Sequence, residues 1–161
     1  MRNKKVLFVA QAALIAAIYV VLTYFVSAFH LASGAIQVRI SEALTVLPYF
    51  TPAAIPGLAA GCLLSNLLTG CLPMDVLFGS LATLIGAVGS YLLRRYKWLV
   101  PLPPVISNTV IVPFVLAYVY GAEGSIPFFM ITVGIGEVIS CYILGSILLN
   151  ALLPYRNIIF K

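Results

Sequence analysis

Three ionisable side chains lie within stretches of sequence that are otherwise apolar. Arg39 and Glu42 are three residues apart, so they share a face if this stretch is helical. Glu137 is eleven residues into the apolar run 126–153, about 16 Å along a helix that rises 1.5 Å per residue. A charge at the centre of a bilayer costs about 2.5–3.5 kcal/mol, so such side chains usually face a partner, a cavity or a ligand. These three residues are therefore the first candidates for binding chemistry.

The simplest structural explanation covers Arg39 and Glu42 but not Glu137. Arg39 and Glu42 can neutralise each other, whereas no further basic residue lies deep in an apolar run. Glu137 is then protonated, bonded to a polar partner such as Asn108, or paired with a cationic or hydrogen-bond-donating ligand. Asn66 is a further candidate for ligand contact, and Asn108 fits either ligand contact or a hydrogen bond between helices.

Cysteine and histidine content argues against a metal site or a metal cofactor. Cys62, Cys71 and Cys141 have no CxxC spacing and lie in or beside apolar runs, where a free thiol behaves as a small apolar side chain. His30 is the one histidine, too few for a zinc or iron site of ordinary ligand type. The absence of HExxH and GxSxG also makes an enzyme improbable. We expect no catalytic residue, no metal and no cofactor.

The composition shows which structural elements must position these residues. Of the 161 residues, 63% are hydrophobic and only 8% are charged, with a mean hydropathy of +1.14. Soluble domains carry about 45–50% apolar and about 25% charged residues, so a soluble enzyme or a nucleic-acid-binding domain is excluded. One crossing of a bilayer core about 30 Å thick needs roughly 20 apolar residues. The chain is therefore expected to be one compact all-α membrane domain with six transmembrane helices.

Proline and glycine separate six apolar runs along the chain. The first run is 24 residues long, longer than the apolar core of about 7–15 residues in a signal peptide, so it is expected to be a retained span. The six expected spans cover residues 6–29, 36–50, 52–70, 74–93, 105–120 and 126–153.

The positions of the basic residues predict the orientation of these spans in the cell membrane. Eight of the nine lie in three groups that flank apolar runs, as the positive-inside rule expects of cytoplasmic segments. The groups are Arg2, Lys4 and Lys5; Arg94, Arg95 and Lys97; and Arg156 and Lys161. If the first two groups are both cytoplasmic, residues 36–70 must cross the membrane twice. Both termini are then cytoplasmic, and the basic charge serves topology rather than nucleic-acid binding.

This topology places the candidate site in the outer half of the membrane. Arg39, Glu42 and Asn66 would lie there together, with Glu137 close below them and Asp75 at the mouth of the pocket. A channel or a structural subunit would instead need a polar stripe along a pore or an oligomer. The concentration of charge at one end favours the binding of a small solute.

The first apolar run also carries two overlapping pairs of alanines four residues apart. Ala12 with Ala16, and Ala13 with Ala17, form small-xxx-small patterns that allow helices to approach closely in a membrane. The pattern alone fits packing inside the bundle and packing against another subunit equally well.

One stretch of sequence resembles a known family. The run QVRISEALTVLPYF at residues 37–50, followed by TPAAIPGL at 51–58, the segment 61–66 and Gly136-Glu137, resembles the QueT family over about residues 5–153. These proteins are substrate-binding S components of energy-coupling factor (ECF) transporters, associated with the uptake of queuosine precursors.

The resemblance implies partners as well as a fold. An S component has six helices, captures its ligand from outside and has no ATPase of its own. It docks on a transmembrane coupling subunit that carries two ATP-binding-cassette ATPases. The resemblance implies that the alanine face, formed by Ala12, Ala13, Ala16 and Ala17, is the docking surface.

The implied ligand matches the candidate residues chemically. A precursor such as 7-aminomethyl-7-deazaguanine has a guanine-like edge with adjacent N–H donors and a cationic aminomethyl group. Glu42 and Glu137 offer one carboxylate for each of these two groups, with the deeper Glu137 favoured for the guanine edge. Arg39 could orient Glu42 or donate to the ring carbonyl, as could Asn66. Related S components bind other vitamins, so another vitamin-like solute is the alternative ligand.

Overall fold

The computed structural model describes residues 3–28 and 38–160, and in these two ranges the regular structure is helical throughout. The predicted run 36–50 therefore starts outside the described residues. Five helices form most of the bundle: α1 (Lys4–Ala28), α2 (Ala54–Leu68), α3 (Pro73–Leu92), α4 (Leu102–Tyr118) and α5 (Ile126–Glu137). Between α1 and α2 lies a 3-10 helix (Ile40–Tyr49), called here the 3-10 segment. After α5 follow π-helical turns (Val138–Leu144), α6 (Gly145–Leu152) and α7 (Arg156–Ile159).

Four stretches of helix in the described residues are long and apolar enough to cross a membrane. They cover Lys4–Ala28, Pro73–Leu92, Lys97–Tyr118 and Ile126–Ile159, and α2 is a shorter apolar helix. Proline begins several of these helices, because its fixed φ suits the first helical turn and that turn needs no N–H donor. Pro73 does so for α3, and Pro103 lies in the first turn of α4. The expected start of the fifth span, residue 105, is thus three residues late.

Glycines of α2 allow this helix to pack very closely on α1. A Cβ atom at Gly57 would lie 2.7 Å from the carbonyl oxygen of Ala12, and one at Gly61 would lie 3.1 Å from Cα of Ala16. Any larger residue would therefore push the two helices apart. Gly57 contacts Ala12, and Gly61 contacts Ala16, four residues further along each helix. The helices α1 and α2 therefore run parallel.

The 3-10 segment runs back along α1 in the opposite direction. The Thr23 hydroxyl donates to Ser41 Oγ at 2.8 Å near one end of the segment, and the Thr51 hydroxyl donates to Gln11 Oε1 at 3.0 Å just beyond the other. The chain between the parallel helices α1 and α2 therefore returns through the bundle. This arrangement agrees with the predicted need for two passes between residues 36 and 70.

The 3-10 geometry explains how so few residues make this return pass. From residue 11 to residue 23, α1 rises about 18 Å at 1.5 Å per residue. The ten steps from residue 41 to residue 51 cover about 20 Å at 2.0 Å per residue in 3-10 geometry, but only about 15 Å as α-helix. The greater rise per residue of 3-10 geometry thus lets the return pass match the length of α1 between residues 11 and 23. It is enclosed by the bundle, since its residues from Ser41 to Pro48 are all buried.

Apart from Arg39, the described basic residues gather at one end of the bundle. Tyr49, Phe50 and Leu153 pack around a buried cluster that contains Val100, which brings the loop of Arg94–Lys97 close to Arg156. The bond of Thr51 to Gln11 places the start of α1, with Lys4 and Lys5, at the same end. The opposite end carries Asp75, whose carboxylate accepts a hydrogen bond from Tyr120 after α4.

This charge distribution gives a prediction for labelling in cells. In a Cys71→Ser background, which removes the native thiol that is not fully buried, Lys97→Cys should react with a membrane-impermeant maleimide only after permeabilisation. The reason is that positively charged loops stay cytoplasmic. Glu123→Cys, at the opposite end of the bundle, is the matched control and should react in intact cells. Labelling of Lys97→Cys from outside would contradict the orientation with both termini in the cytoplasm.

Candidate functional site

Glu42 lies in the centre of the bundle and has one unoccupied carboxylate oxygen. The 3-10 segment places its side chain against α1, where the Tyr19 hydroxyl donates to Oε1. Both residues are completely buried. Oε2 of Glu42 is buried and has no hydrogen-bond partner among the described residues. A buried acceptor without a partner costs free energy, so this oxygen suits a donor that arrives with a ligand.

Glu137 brings a second carboxyl group next to the first. It ends α5 where the π-helical turns begin, and the Cys141 thiol one turn later donates to its Oε2 at 3.1 Å. Glu42, Glu137 and Cys141 each have a side-chain atom that lies within 4.8 Å of those of the other two residues. In the described part of the chain, these three residues are the group whose side chains lie close enough together to bind one metal ion. The guanidinium of Arg39, which acts on both carboxyl groups, opposes a divalent cation there.

Arg39 donates a side-chain hydrogen bond to Asn66 and attracts the Glu42 carboxyl group through its charge. Its Nη2 donates to Oδ1 of Asn66 at 3.0 Å, and its backbone N–H donates to Oγ of Ser140 at 3.1 Å. The ion-pair explanation from the sequence is therefore not what the hydrogen bonds of the described residues show. Arg39 directly precedes the 3-10 segment, and its backbone there is extended. This conformation directs the side chain towards α2 instead of along the face of a helix.

The structure brings together all five polar residues predicted for the site. Asn66 of α2 accepts from Arg39, and Asn108 of α4 lies beside the carboxyl groups of both Glu42 and Glu137. Both asparagines are buried. The five side chains come from four separate parts of the chain and form one polar cluster inside an apolar bundle.

The cluster holds fewer positive charges than carboxyl groups. Arg39 is the cation of the cluster, whereas Glu42 and Glu137 bring two buried carboxyl groups. Buried charges need a partner or hydrogen bonds, so a cluster with one more carboxyl group than cations favours a ligand rich in N–H donors. This arrangement offers recognition chemistry.

A cavity of about 410 Å³ connects this cluster to the acidic end of the bundle. Arg39 and Ser41 line it near the cluster, and Asp75 and Tyr120 line it at the end of the bundle. The walls come from the last turns of α1, the loop after α2 and the second half of α4. They include Thr23, Val26, Ser27, Thr69, Cys71, Val112, Val115 and Leu116. Glu42 and Glu137 lie beyond Arg39 and do not line the cavity.

Asp75 and Tyr120 form a polar pair at the mouth of this cavity. The Tyr120 hydroxyl donates to Oδ2 of Asp75 at 2.7 Å and accepts from the backbone N–H of Leu72 at 3.4 Å. Partial burial and the hydrogen bond to Asp75 raise the pKa of the Tyr120 hydroxyl above its usual range. Tyr120 therefore stays protonated and keeps donating to the carboxylate.

The four alanines of the small-xxx-small pattern divide between two surfaces of α1. Ala16 is buried and Ala12 is half-buried, and both pack on the glycines of α2. Ala13 and Ala17 are exposed on the outside of the bundle. Ala12 and Ala16 therefore pack inside the bundle, and Ala13 and Ala17 lie on its surface.

Several residues near the site were not identified from the sequence. Tyr19 lies in an apolar run, where its contact with Glu42 has no local signal. Ser140 and Cys141 follow Glu137 by three and four residues, a spacing that does place side chains on one helical face and could have revealed them. The spacing of Gly57 and Gly61 is likewise a small-xxx-small pattern that complements the alanines.

Comparison with known proteins identifies the family of this chain. The family described as QueT transporter matches residues 9–154. The Queuosine precursor transporter QueT of Lactococcus lactis subsp. cremoris (strain MG1363) is 34% identical over 98 residues, which are 60% of this chain and 57% of that protein. The chain thus aligns with little more than half of the length of that relative. No solved structure matches the chain significantly.

The family match covers nearly the whole chain, including the buried cluster and the residues that line the cavity. It confirms the resemblance that the run 37–58 suggested. The apolar helices and the family together make this a multi-pass protein of the cell membrane. The chain belongs to the QueT transporter family.

Proposed function

We propose that this protein is the substrate-binding S component of an ECF transporter and that it captures a queuosine precursor of the 7-deazaguanine type from outside the cell. Its family and the name of its relative support this ligand class. The structure contributes a polar cluster deep in the bundle and a cavity that leads from this cluster to the acidic end. We expect ATP hydrolysis to take place in two ATPase partners, which act through a transmembrane coupling subunit.

The vacant Oε2 atom of Glu42 is the observation that carries this proposal. A guanine-like edge presents adjacent N–H donors, and a carboxylate accepts two such donors side by side. Glu137 lies close enough to Glu42 to accept further donors from the same edge. Asn66 has an amide that can donate to the ring carbonyl, and Asn108 adds an amide that can donate or accept. A bound deazaguanine would thus provide the missing partner of the buried acceptor.

Docking on the coupling subunit is assigned to the exposed half of the alanine pattern. Ala13 and Ala17 are one turn apart and exposed, so a helix of another subunit can approach the backbone of α1 closely there. On the opposite face of α1, Ala12 and Ala16 pack against α2 and so hold α1 in position. All four alanines therefore contribute to docking, two directly and two through the position of α1.

Removal of either buried carboxylate should weaken binding strongly. Loss of one partner in a buried charged network costs about 3–5 kcal/mol, and each 1.4 kcal/mol is tenfold in affinity. Glu42→Gln and Glu137→Gln should therefore each weaken the binding of 7-aminomethyl-7-deazaguanine at least about a hundredfold, measured by calorimetry on the purified protein. Glu123→Gln, an exposed acid outside the cavity, is the matched control and should bind like the unmodified chain.

The same titration should include a panel of vitamins. Tight binding of another vitamin in place of the deazapurine would keep the S-component role but replace the ligand. Unchanged deazapurine affinity in both folded glutamine variants would show that the cluster is not the site.

A pair of tryptophan variants on neighbouring alanines separates docking from folding. Ala17→Trp should fold and bind ligand but lose co-purification with the coupling subunit, because the side chain projects from the exposed surface. Ala16→Trp should destabilise the protein itself, because there is no space between α1 and Gly61. Thermal unfolding and affinity co-purification measure the two effects. Normal co-purification of Ala17→Trp would remove the docking assignment.

A further inference from the structure

We propose that Asp75 is a specificity-determining residue of the ligand site and that it pairs with the cationic amine of the substrate. This inference rests on the proposed function and adds the group that distinguishes a charged 7-aminomethyl ligand from a neutral analogue. It also changes the earlier expectation that Glu42 and Glu137 each take one end of the ligand.

The distance between the two buried carboxyl groups is the first reason. Glu42 and Glu137 have side-chain atoms within 4.8 Å of each other. The aminomethyl arm is on the five-membered ring and the N–H edge is on the six-membered ring, with the ring carbonyl between them. Two neighbouring carboxyl groups can both serve the N–H edge of the ligand, which leaves the amine for another acid.

The charges along the cavity supply that acid and fix the orientation of the ligand. Among the described residues that line the cavity, Arg39 and Asp75 are the charged ones, at its inner and outer ends respectively. Arg39 repels an ammonium group, whereas Asp75 attracts it. A ligand with one neutral edge and one cationic arm therefore enters with its neutral edge towards Glu42 and Glu137, and its arm stays near Asp75.

The surroundings of Asp75 leave one carboxylate oxygen available to the ligand. Tyr120 donates to Oδ2, whereas Oδ1 faces the space beside Gly79. A Cβ atom at Gly79 would lie 3.5 Å from Oδ1 of Asp75 and 3.0 Å from Nδ2 of Asn66. Oδ1 of Asp75 and Nδ2 of Asn66 therefore both lie close to the same point beside Gly79. Asp75 is thus next to the buried cluster and not merely on the surface.

The test compares two ligands that differ in this one group. Calorimetry should measure 7-aminomethyl-7-deazaguanine and its neutral 7-cyano analogue on the unmodified chain, Asp75→Asn, Tyr120→Phe and the control Glu123→Gln. A hydrogen bond to a charged group contributes about 1.5–3 kcal/mol, so Asp75→Asn should weaken the aminomethyl ligand about tenfold or more. Its affinity for the cyano analogue should stay close to that of the unmodified chain.

Tyr120→Phe keeps the carboxylate but removes the donor that positions it. Its affinity for the aminomethyl ligand should also decrease, by less than the affinity of Asp75→Asn does. Equal losses for both ligands in the two variants would show a merely structural role, and unchanged affinities would show that the amine lies elsewhere. If the unmodified chain binds deazapurines while Asp75→Asn keeps its preference for the cationic ligand, only this inference is wrong. If the unmodified chain binds neither ligand, the proposed function is wrong and this inference with it.

Discussion

The buried contact between Tyr19 and Glu42 is the interaction on which the rest of the arrangement depends. It joins the centre of α1 to the 3-10 segment and holds a carboxyl group completely buried in the bundle. Because a buried carboxylate must be paired or hydrogen-bonded, other polar groups have to gather around it. Arg39, Asn108 and Glu137 do so, and among the residues that the structure describes one oxygen of Glu42 still has no hydrogen-bond partner.

The helices position this cluster through close contacts at small residues. Gly57 and Gly61 bring α2 against α1, and Gly145 lies against Val46 of the 3-10 segment. These contacts enclose the 3-10 segment in the bundle, so its polar residues project among the helices rather than towards lipid. The π-helical turns begin directly after Glu137, and such turns frequently occur at functional sites. Irregular helix is thus concentrated where the two carboxyl groups meet.

Much of this architecture could be predicted from the sequence, because apolar length and basic flanks determine where membrane helices lie. That these five polar residues lie close together was also predictable, since a polar or charged side chain in an apolar run needs a partner. The 3-10 geometry was not, because its length is set by the distance along α1 and not by a local pattern. Nor was the partner of Arg39, which depends on the extended backbone before the segment. The division of the alanines required knowledge of where α2 packs.

A crystal structure of the protein with 7-aminomethyl-7-deazaguanine would test the central claim most directly. The account predicts that the guanine-like edge donates to Oε2 of Glu42, with Glu137 beside it and the amine near Asp75. The hydrogen bond between Arg39 and Asn66 should break or rearrange to admit the ring. A ligand that lies in the cavity with its edge away from Glu42, leaving Oε2 without a partner, would contradict the account.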